Sequence, residues 1–304
     1  MSFSSEVKKE LSGTTPTKPC CEKALLCTFY AFLAEEKKGI ITLKTENINI
    51  GRTVIQLSKK HLGTEPILEI SENKKRNKPV IKVITKDISD SEKLKDVLKL
   101  RSDKANIYMP NIAPQYTINE CCKKASAFAA FLAAGFISSP KKSYHLEIAT
   151  HKRRVAEDLS AILLELSMES KITIRKNKYV LYIKNNEEIC DFLGMIGAKR
   201  SLFKFHEIKI EKEIKNRINR NLNCESANQD KVISTSLSQI TAIEKLIKSG
   251  KLDFLSEDMK KTAYLRLENP DLSLSQLVEA ADFKITKSGL NHRLKKLTDL
   301  ANQS

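Results

Sequence analysis

Hydrophobic and polar positions follow a mixed rhythm over the first two thirds of the chain and a purely helical one after that. Two small-residue segments, CCEKALLCTFYAFLA (20–34) and CCKKASAFAAFLAAG (121–135), read as helices. Behind the first come a β-branched run (39–45), a helical stretch (51–62) with Val54, Leu57 and Leu62 apolar, and strand-like runs at 66–70 and 79–85 around a polar turn (71–78). A short helix (91–100) closes the unit. Behind the second the order recurs: strand 144–149, helix 153–167, strands 171–175 and 179–183, helix 187–196. Each half reads α-β-α-β-β-α, the signature of an internal repeat.

Residue identity supports the repeat. Cys-Cys-x-Lys-Ala recurs at a spacing of 101, and FYAFLA (29–34) recurs as FAAFLA (128–133) at a spacing of 99. Ala133, Ala134 and Gly135 would let two helices approach closely, so the halves are expected to pair about a pseudo-twofold axis through them. An Ala-rich helix that is simply buried core would carry the same residues.

From 228 to 304 the pattern is helical throughout. Val232, Ile233, Leu237, Ile240, Ile243 and Ile247 recur at helical spacing up to Gly250, and a second helix (257–267) stops at Asn269-Pro270. Ser273 and Gln276 form a capping box that opens a third short helix, running through Ala280. After a turn (281–285), Thr286 caps a last helix that runs to about 301. Two helices joined by a short turn at the end of a basic chain suggest helix-turn-helix. In the last helix Leu290, Leu294 and Leu297 form one buried stripe. The opposite face carries Ser288, Asn291, His292 and Lys295, whose donors and lengths suit base edges in a major groove. Lys284, Lys287, Arg293 and Lys296 flank them and suit phosphates. No acid occurs from 284 to 296. A solvated basic face on a protein-docking helix would share these features.

Charge sharpens the reading. With 53 Lys and Arg against 37 Asp and Glu, the 304-residue chain carries +16, which favours DNA, RNA or an anionic surface as partner. The segment 199–220 holds eight basic residues against three Glu. In it Arg217 and Arg220, with Asn216, Asn219 and Asn221, either track a phosphate backbone or dock two domains together. The longest apolar stretch (127–137) has eleven residues, well short of the ~20 that span a bilayer. The first ten residues lack the apolar run of a secretory signal, so a cytoplasmic location without membrane contact is expected.

Candidate chemistry is sparse. Seven cysteines, with vicinal pairs Cys20/Cys21 and Cys121/Cys122, suit neither a disulfide framework nor C-x-x-C zinc spacing, and are read as reduced, mostly buried thiols. His145 and His151 share no helical face, and a Cys–His nucleophile pair stays open. There is no phosphate-binding G-x-x-x-x-G-K-[ST] loop, and the glycines of GMIGAKR (194–200) end a helix that would cap a phosphate only weakly. No cofactor and no metal site are expected.

One family gathers these features. FLAAGFISS (131–139) resembles the LAGLIDADG helix of homing endonucleases. The motifs MSFSSEVK (1–8), SYHLEI (143–148), DFL (191–193), IGA (196–198), NRINRN (216–221), CESAN (224–228), LRLENP (265–270) and SGLNHRL (288–294) resemble those of the WhiA family of bacterial DNA-binding regulators, from end to end. The resemblance implies an α+β, two-lobed LAGLIDADG-like domain of pseudo-twofold repeats (lobes 1–118 and 119–200), a basic linker (201–227), and an all-α helix-turn-helix domain (228–304). It further implies sequence-specific binding of double-stranded DNA, transcription control tied to sporulation, cell division or chromosome segregation, and recruitment of another transcription factor. Phosphodiester cleavage would need a carboxylate at the end of each central helix to hold divalent ions. The second-lobe position falls on Ile137 or Ser138 and the first near Glu35 and Glu36, so no catalytic residues are expected. An active metal-dependent endonuclease and a basic RNA-binding or protein-docking module are the competing readings.

Overall fold

The computed structural model describes residues 2–73, 78–102 and 105–303, which divide into two compact units, Met1–Lys212 and Glu213–Ser304. The first unit opens with α1 (Phe3–Leu11), whose N-cap Ser2 accepts from the Ser5 N–H. Its first half comprises α2 (Pro19–Leu33), β1 (Ala34–Lys37), β2 (Ile40–Thr45), α3 (Ile48–Leu62), β3 (Ile67–Asn73), β4 (Lys78–Ile84) and α4 (Ile88–Leu98). A small hairpin, β5 (Arg101–Ser102) and β6 (Ala105–Tyr108), precedes the second half. That half comprises α5 (Glu120–Ala134), β7 (Gly135–Ile137), β8 (Leu146–Thr150), α6 (Arg153–Glu165), β9 (Lys171–Arg175), β10 (Lys178–Ile183) and α7 (Asn186–Met195).

The repeat is real, with one more strand per half than the pattern predicts: α-β-β-α-β-β-α. The sheets run β1-β2-β4-β3 and β7-β8-β10-β9, all neighbours antiparallel. The added strands, AEEK and GFI, leave the ends of α2 and α5 directly and are too short for a period-2 signal. In β1 the glutamates are tolerated because the strand lies at a sheet edge, where Glu35 meets Lys44 at 3.1 Å and Glu36 meets Lys95 at 2.7 Å. Residues 74–77 of the expected polar turn lie outside the described residues.

Spacing is also corrected. Helices α2 and α5 each have 15 residues and are followed by extended C-caps, Ala34 and Gly135, so the copies keep a spacing of 101 from end to end. The FYAFLA match at 99 is out of structural register, a likeness among small and apolar residues that are buried or half-buried. The two helices pack against each other through the centre of the core. Phe131 meets Phe192 edge-on at 5.8 Å, and that position leaves no room for a β-carbon on Gly135, which would sit 2.2 Å from Phe131 Cδ2. The chain therefore turns from α5 into β7 at a residue without a side chain.

Helix α8 (Lys199–Lys248) gives its start to the first unit and its end to the second. Phe205 is buried among Phe3 and Tyr144, with ring centroids 6.1 and 5.6 Å away. The segment 201–227 is helical throughout, and every side chain from 213 to 231 is exposed. In the second unit α8 packs with α9 (Glu257–Glu268), α10 (Leu274–Ala280) and α11 (Lys287–Asn302) around Ala242, Ile243, Leu246, Ala263, Leu277, Leu290 and Leu294. The face of α8 that is buried differs from the expected one: Ile233, Leu237 and Ile247 are exposed, while Ser236 and Gln239 are buried. The hydroxyl of Ser236 donates to the Pro270 carbonyl, so a polar position is held inside by a loop it fixes.

Candidate nucleic-acid interface

The local chemistry of α10 and α11 sets their ends. Gln276 N–H bonds to the Ser273 hydroxyl while the Gln276 side chain accepts from Ser273 N–H at 2.9 Å, a complete capping box. Thr286 Oγ1 accepts from Gly289 N–H at 3.1 Å and starts α11 where the sequence places it. The connection between α9 and α10 is riveted by Arg266, only 2% exposed, which donates to the carbonyls of Asn269 (3.2 Å) and Leu272 (2.8 Å). Its charge has no acidic partner among the interactions of the described residues, and burial holds its pKa below the usual arginine value. The buried stripe of α11 is Leu290, Leu294, Leu297 and Ala301.

Opposite that stripe, Ser288, Asn291, His292 and Lys295 are all exposed and lie at i, i+3, i+4 and i+7, one helical face. Lys284, Lys287 and Lys296 are exposed at its margins. Arg293 is different: half-buried, it donates to the Asp258 carboxylate at 2.6 Å and to the Asp258 carbonyl at 3.4 Å. Its guanidinium ties α11 to the first turn of α9. Arg217 and Arg220 lie on the fully exposed stretch of α8, Arg220 turning back to the Asn216 carbonyl at 3.3 Å.

Other sequence candidates lose their free groups. The weak phosphate cap at 194–200 is taken by the protein itself: the Glu10 carboxylate accepts from the N–H groups of Arg200 (2.8 Å) and Ser201 (3.0 Å) and from the Ser201 hydroxyl (2.6 Å). That acid already does what a bound anion does at a helix N-terminus. His145 is engaged by Glu147, and His151 Nδ1 lies 3.1 Å from the Asn177 carbonyl.

The ends of the central helices also revise the expected acid positions. Helix α5 ends at Ala134, so Ile137 and Ser138 lie a strand beyond it. Ile137 is buried in β7 with its N–H directed to Ser4 Oγ, and Ser138 Oγ donates to the Ser143 carbonyl. The residues at the helix end, Ala134 and Gly135, carry no carboxylate either. At the end of α2 Glu35 is exposed and paired with Lys44, which holds its carboxyl below the usual range. A residue that sequence inspection passes over, Lys152, inserts its ammonium at that end and donates to the carbonyls of Ala31 and Ala34, each at 2.7 Å. Burial pushes its pKa down to about 8. Only the fold could reveal it, because Lys152 lies 118 residues from Ala34.

The likenesses follow the same division. The WhiA LAGLIDADG-like domain model matches residues 123–215 and the WhiA C-terminal HTH domain model matches residues 218–301. A probable cell division protein WhiA from Alkaliphilus metalliredigens is 34% identical over 312 residues, covering 100% of this chain and 98% of that protein. A protein of the same name from Caldicellulosiruptor saccharolyticus is 35% identical, covering 100% and 95%. The crystal structure of full-length DUF199/WhiA from Thermatoga maritima shares the fold at a TM-score of 0.60 and 23% identity, covering 100% of this chain and 99% of that one. A LAGLIDADG-like repeat followed by a helix-turn-helix, matched along its whole length by such relatives, places the chain in the WhiA family.

Proposed function

We propose that the protein is a sequence-specific regulator of transcription that binds double-stranded DNA through α11 and serves sporulation, cell division or chromosome segregation at the nucleoid. The observation that carries this reading is the exposed, acid-free face of α11 standing opposite a fully buried leucine stripe. Ser288, Asn291, His292 and Lys295 read base edges, with Asn291 suited to two bonds with adenine. Lys284, Lys287 and Lys296 contact phosphates, and Arg217 and Arg220 on α8 add to that electrostatic footprint. Arg293 acts chiefly as the brace that sets the tilt of α11, and reaches phosphate only by giving up Asp258. The name of the relatives, cell division protein, supports the cellular setting, and a second transcription factor is the natural protein partner for such a regulator.

The LAGLIDADG-like lobes serve as a scaffold without nuclease activity. An Ala134–Gly135 helix end offers no metal ligand, and the Lys152 ammonium at the end of α2 repels the divalent ions that cleavage would need. Titration of the whole chain with duplex, single strand and RNA at several salt concentrations tests the binding reading. Duplex should be preferred, and equal affinity for all three would favour the basic RNA-binding or docking alternative. Supercoiled DNA incubated with magnesium or manganese should stay uncut. Nicking that disappears in Glu35→Gln would establish the endonuclease reading instead.

A further inference from the structure

The pseudo-twofold repeat brings the two vicinal cysteine pairs together. Cys20 and Cys21 lie in the first turn of α2, Cys121 and Cys122 in the first turn of α5, and the equal 101-residue offset makes them symmetry mates across the helix–helix contact. All four Sγ atoms lie within 4.8 Å of one another. The adjacent pairs are 3.9 Å (Cys20–Cys21) and 4.0 Å (Cys121–Cys122) apart. Cys21 and Cys122 are buried against Ala24 and Ala125, themselves mates at the same offset, while Cys121 is half-buried and Cys20 faces solvent. Among the described residues this is the one cluster of His, Cys, Asp and Glu with such convergence.

We propose that these four cysteines bind one soft divalent cation of the zinc class, which ties the first turns of the two central helices together. A tetrahedral thiolate site with metal–sulfur bonds of about 2.3 Å has sulfur–sulfur edges of about 3.8 Å, so a quartet held within 4.8 Å needs to contract by about an ångström at most along its longest edge. Four neutral thiols and a divalent ion give a tetrathiolate complex of charge −2 and release four protons, with no change of oxidation state. The N-terminal ends of α2 and α5 face that charge with the positive poles of their dipoles, and neither N-cap, Lys18 or Asn119, supplies a side-chain hydrogen bond to its helix. Solvent reaches the cluster at Cys20, which gives a cation its entry. Vicinal cysteines lack the two-residue spacer that usually marks such sites in sequence. Here two helices, each presenting consecutive residues, replace the spacer.

The experiment uses the full chain, reduced and stripped of metal under anaerobic conditions, titrated with cobalt(II). One equivalent should give the near-ultraviolet thiolate charge-transfer band and the intense visible bands of tetrahedral cobalt, and zinc should displace it. Loading should also slow the reaction of four thiols with a thiol-specific reagent and raise the thermal midpoint, with a chelator reversing both. Cys20→Ser combined with Cys121→Ser removes the more accessible ligand of each helix and should lose the spectrum while circular dichroism keeps the helical signal. Cys224→Ser, on the exposed stretch of α8, should change neither. A folded wild type that shows no saturable tetrahedral spectrum overturns the proposal, as does a spectrum that survives the Cys20/Cys121 double change. Should the double variant lose helical signal, the single Cys20→Ser protein decides: an unaltered cobalt spectrum and stoichiometry in it counts against the site.

Discussion

Lys152 Nζ lies 2.7 Å from the carbonyl oxygen of Ala34, so the N-cap residue of α6 in the second half supplies the cation that closes the central helix of the first. Its side chain caps the end of α2, where unpaired carbonyls and the negative pole of the dipole favour a positive charge. Burial opposes that charge, and the outcome is a pKa lowered from 10.5 to about 8.

The consequence for stability has a definite sign. Because the folded pKa is depressed, the unfolded chain binds the proton more readily, and the stability of the wild type relative to a variant lacking the group rises with pH between about 8 and 10.5. It is fully present above 10.5 and lost as pH falls through 8. Lys152→Met should therefore compare best with wild type near neutral pH and progressively less well towards pH 10. Thermal midpoints of both proteins across that range check this, and a constant difference would mean the ammonium is well solvated.

Arg293 and Asp258 form a bridge whose side chains are 26% and 63% exposed, so its contribution is set by geometry rather than by deep burial. Exposed pairs contribute about 0.2–1 kcal/mol. Arg293→Ala and Asp258→Ala should each lower the stability of the second unit by that order, with a coupling in the double-mutant cycle of similar size. The salt slope of DNA binding should stay near the wild-type value for both. A slope reduced by nearly one in Arg293→Ala alone would return this side chain to the phosphate contacts.

Much of the second unit was legible in the sequence because its signals are local. Ser273-x-x-Gln276 and Thr286 act within three residues, and Leu290, Leu294 and Leu297 repeat at the helical period. The first unit was legible as a repeat but not in its details. Strand β1 hides in a charged edge segment, and α1, though Phe3, Val7 and Leu11 recur at helical spacing and are buried, is only nine residues long and sequence inspection passes over it. The elements that matter at the site are joined over long distances: Glu10 to Ser201, Lys152 to Ala34, Cys20 to Cys122. The last two depend on how the halves pack together, and the recurring order of elements and the 101-residue offset were the traces of that in the chain.

The buried stripe carries the fold of the reading head. Leu294 is fully buried beneath the exposed face of α11, so Leu294→Ala should cost roughly 2–5 kcal/mol. Urea unfolding of the second unit, followed by circular dichroism, should show the loss as a shifted midpoint with little change in slope. Leu294→Asp, which buries a charge without a partner, should abolish the native helical signal of that unit. A Leu294→Ala protein as stable as wild type would mean that α11 packs through other residues.

The exposed face itself should divide its labour. Lys287→Ala and Lys296→Ala remove exposed charges that form no ion pair among the described residues, so they should weaken binding alike on every duplex. Each should reduce the slope of log affinity against log salt by about 0.9, one phosphate contact's worth of released counterion. Asn291→Ala and His292→Ala remove side chains that suit base edges rather than lysine charges. They should cost roughly 1–3 kcal/mol on a selected site and little on random duplex. Sites selected from random sequence by the wild-type protein provide the specific ligand, and affinities on selected and random duplexes, plotted against one another, should place the two classes on different lines. If Asn291→Ala and His292→Ala fall on the lysine line, the helix grips the backbone without reading bases. Recognition would then belong to the LAGLIDADG-like lobes or to a partner protein, and α11 would supply affinity alone.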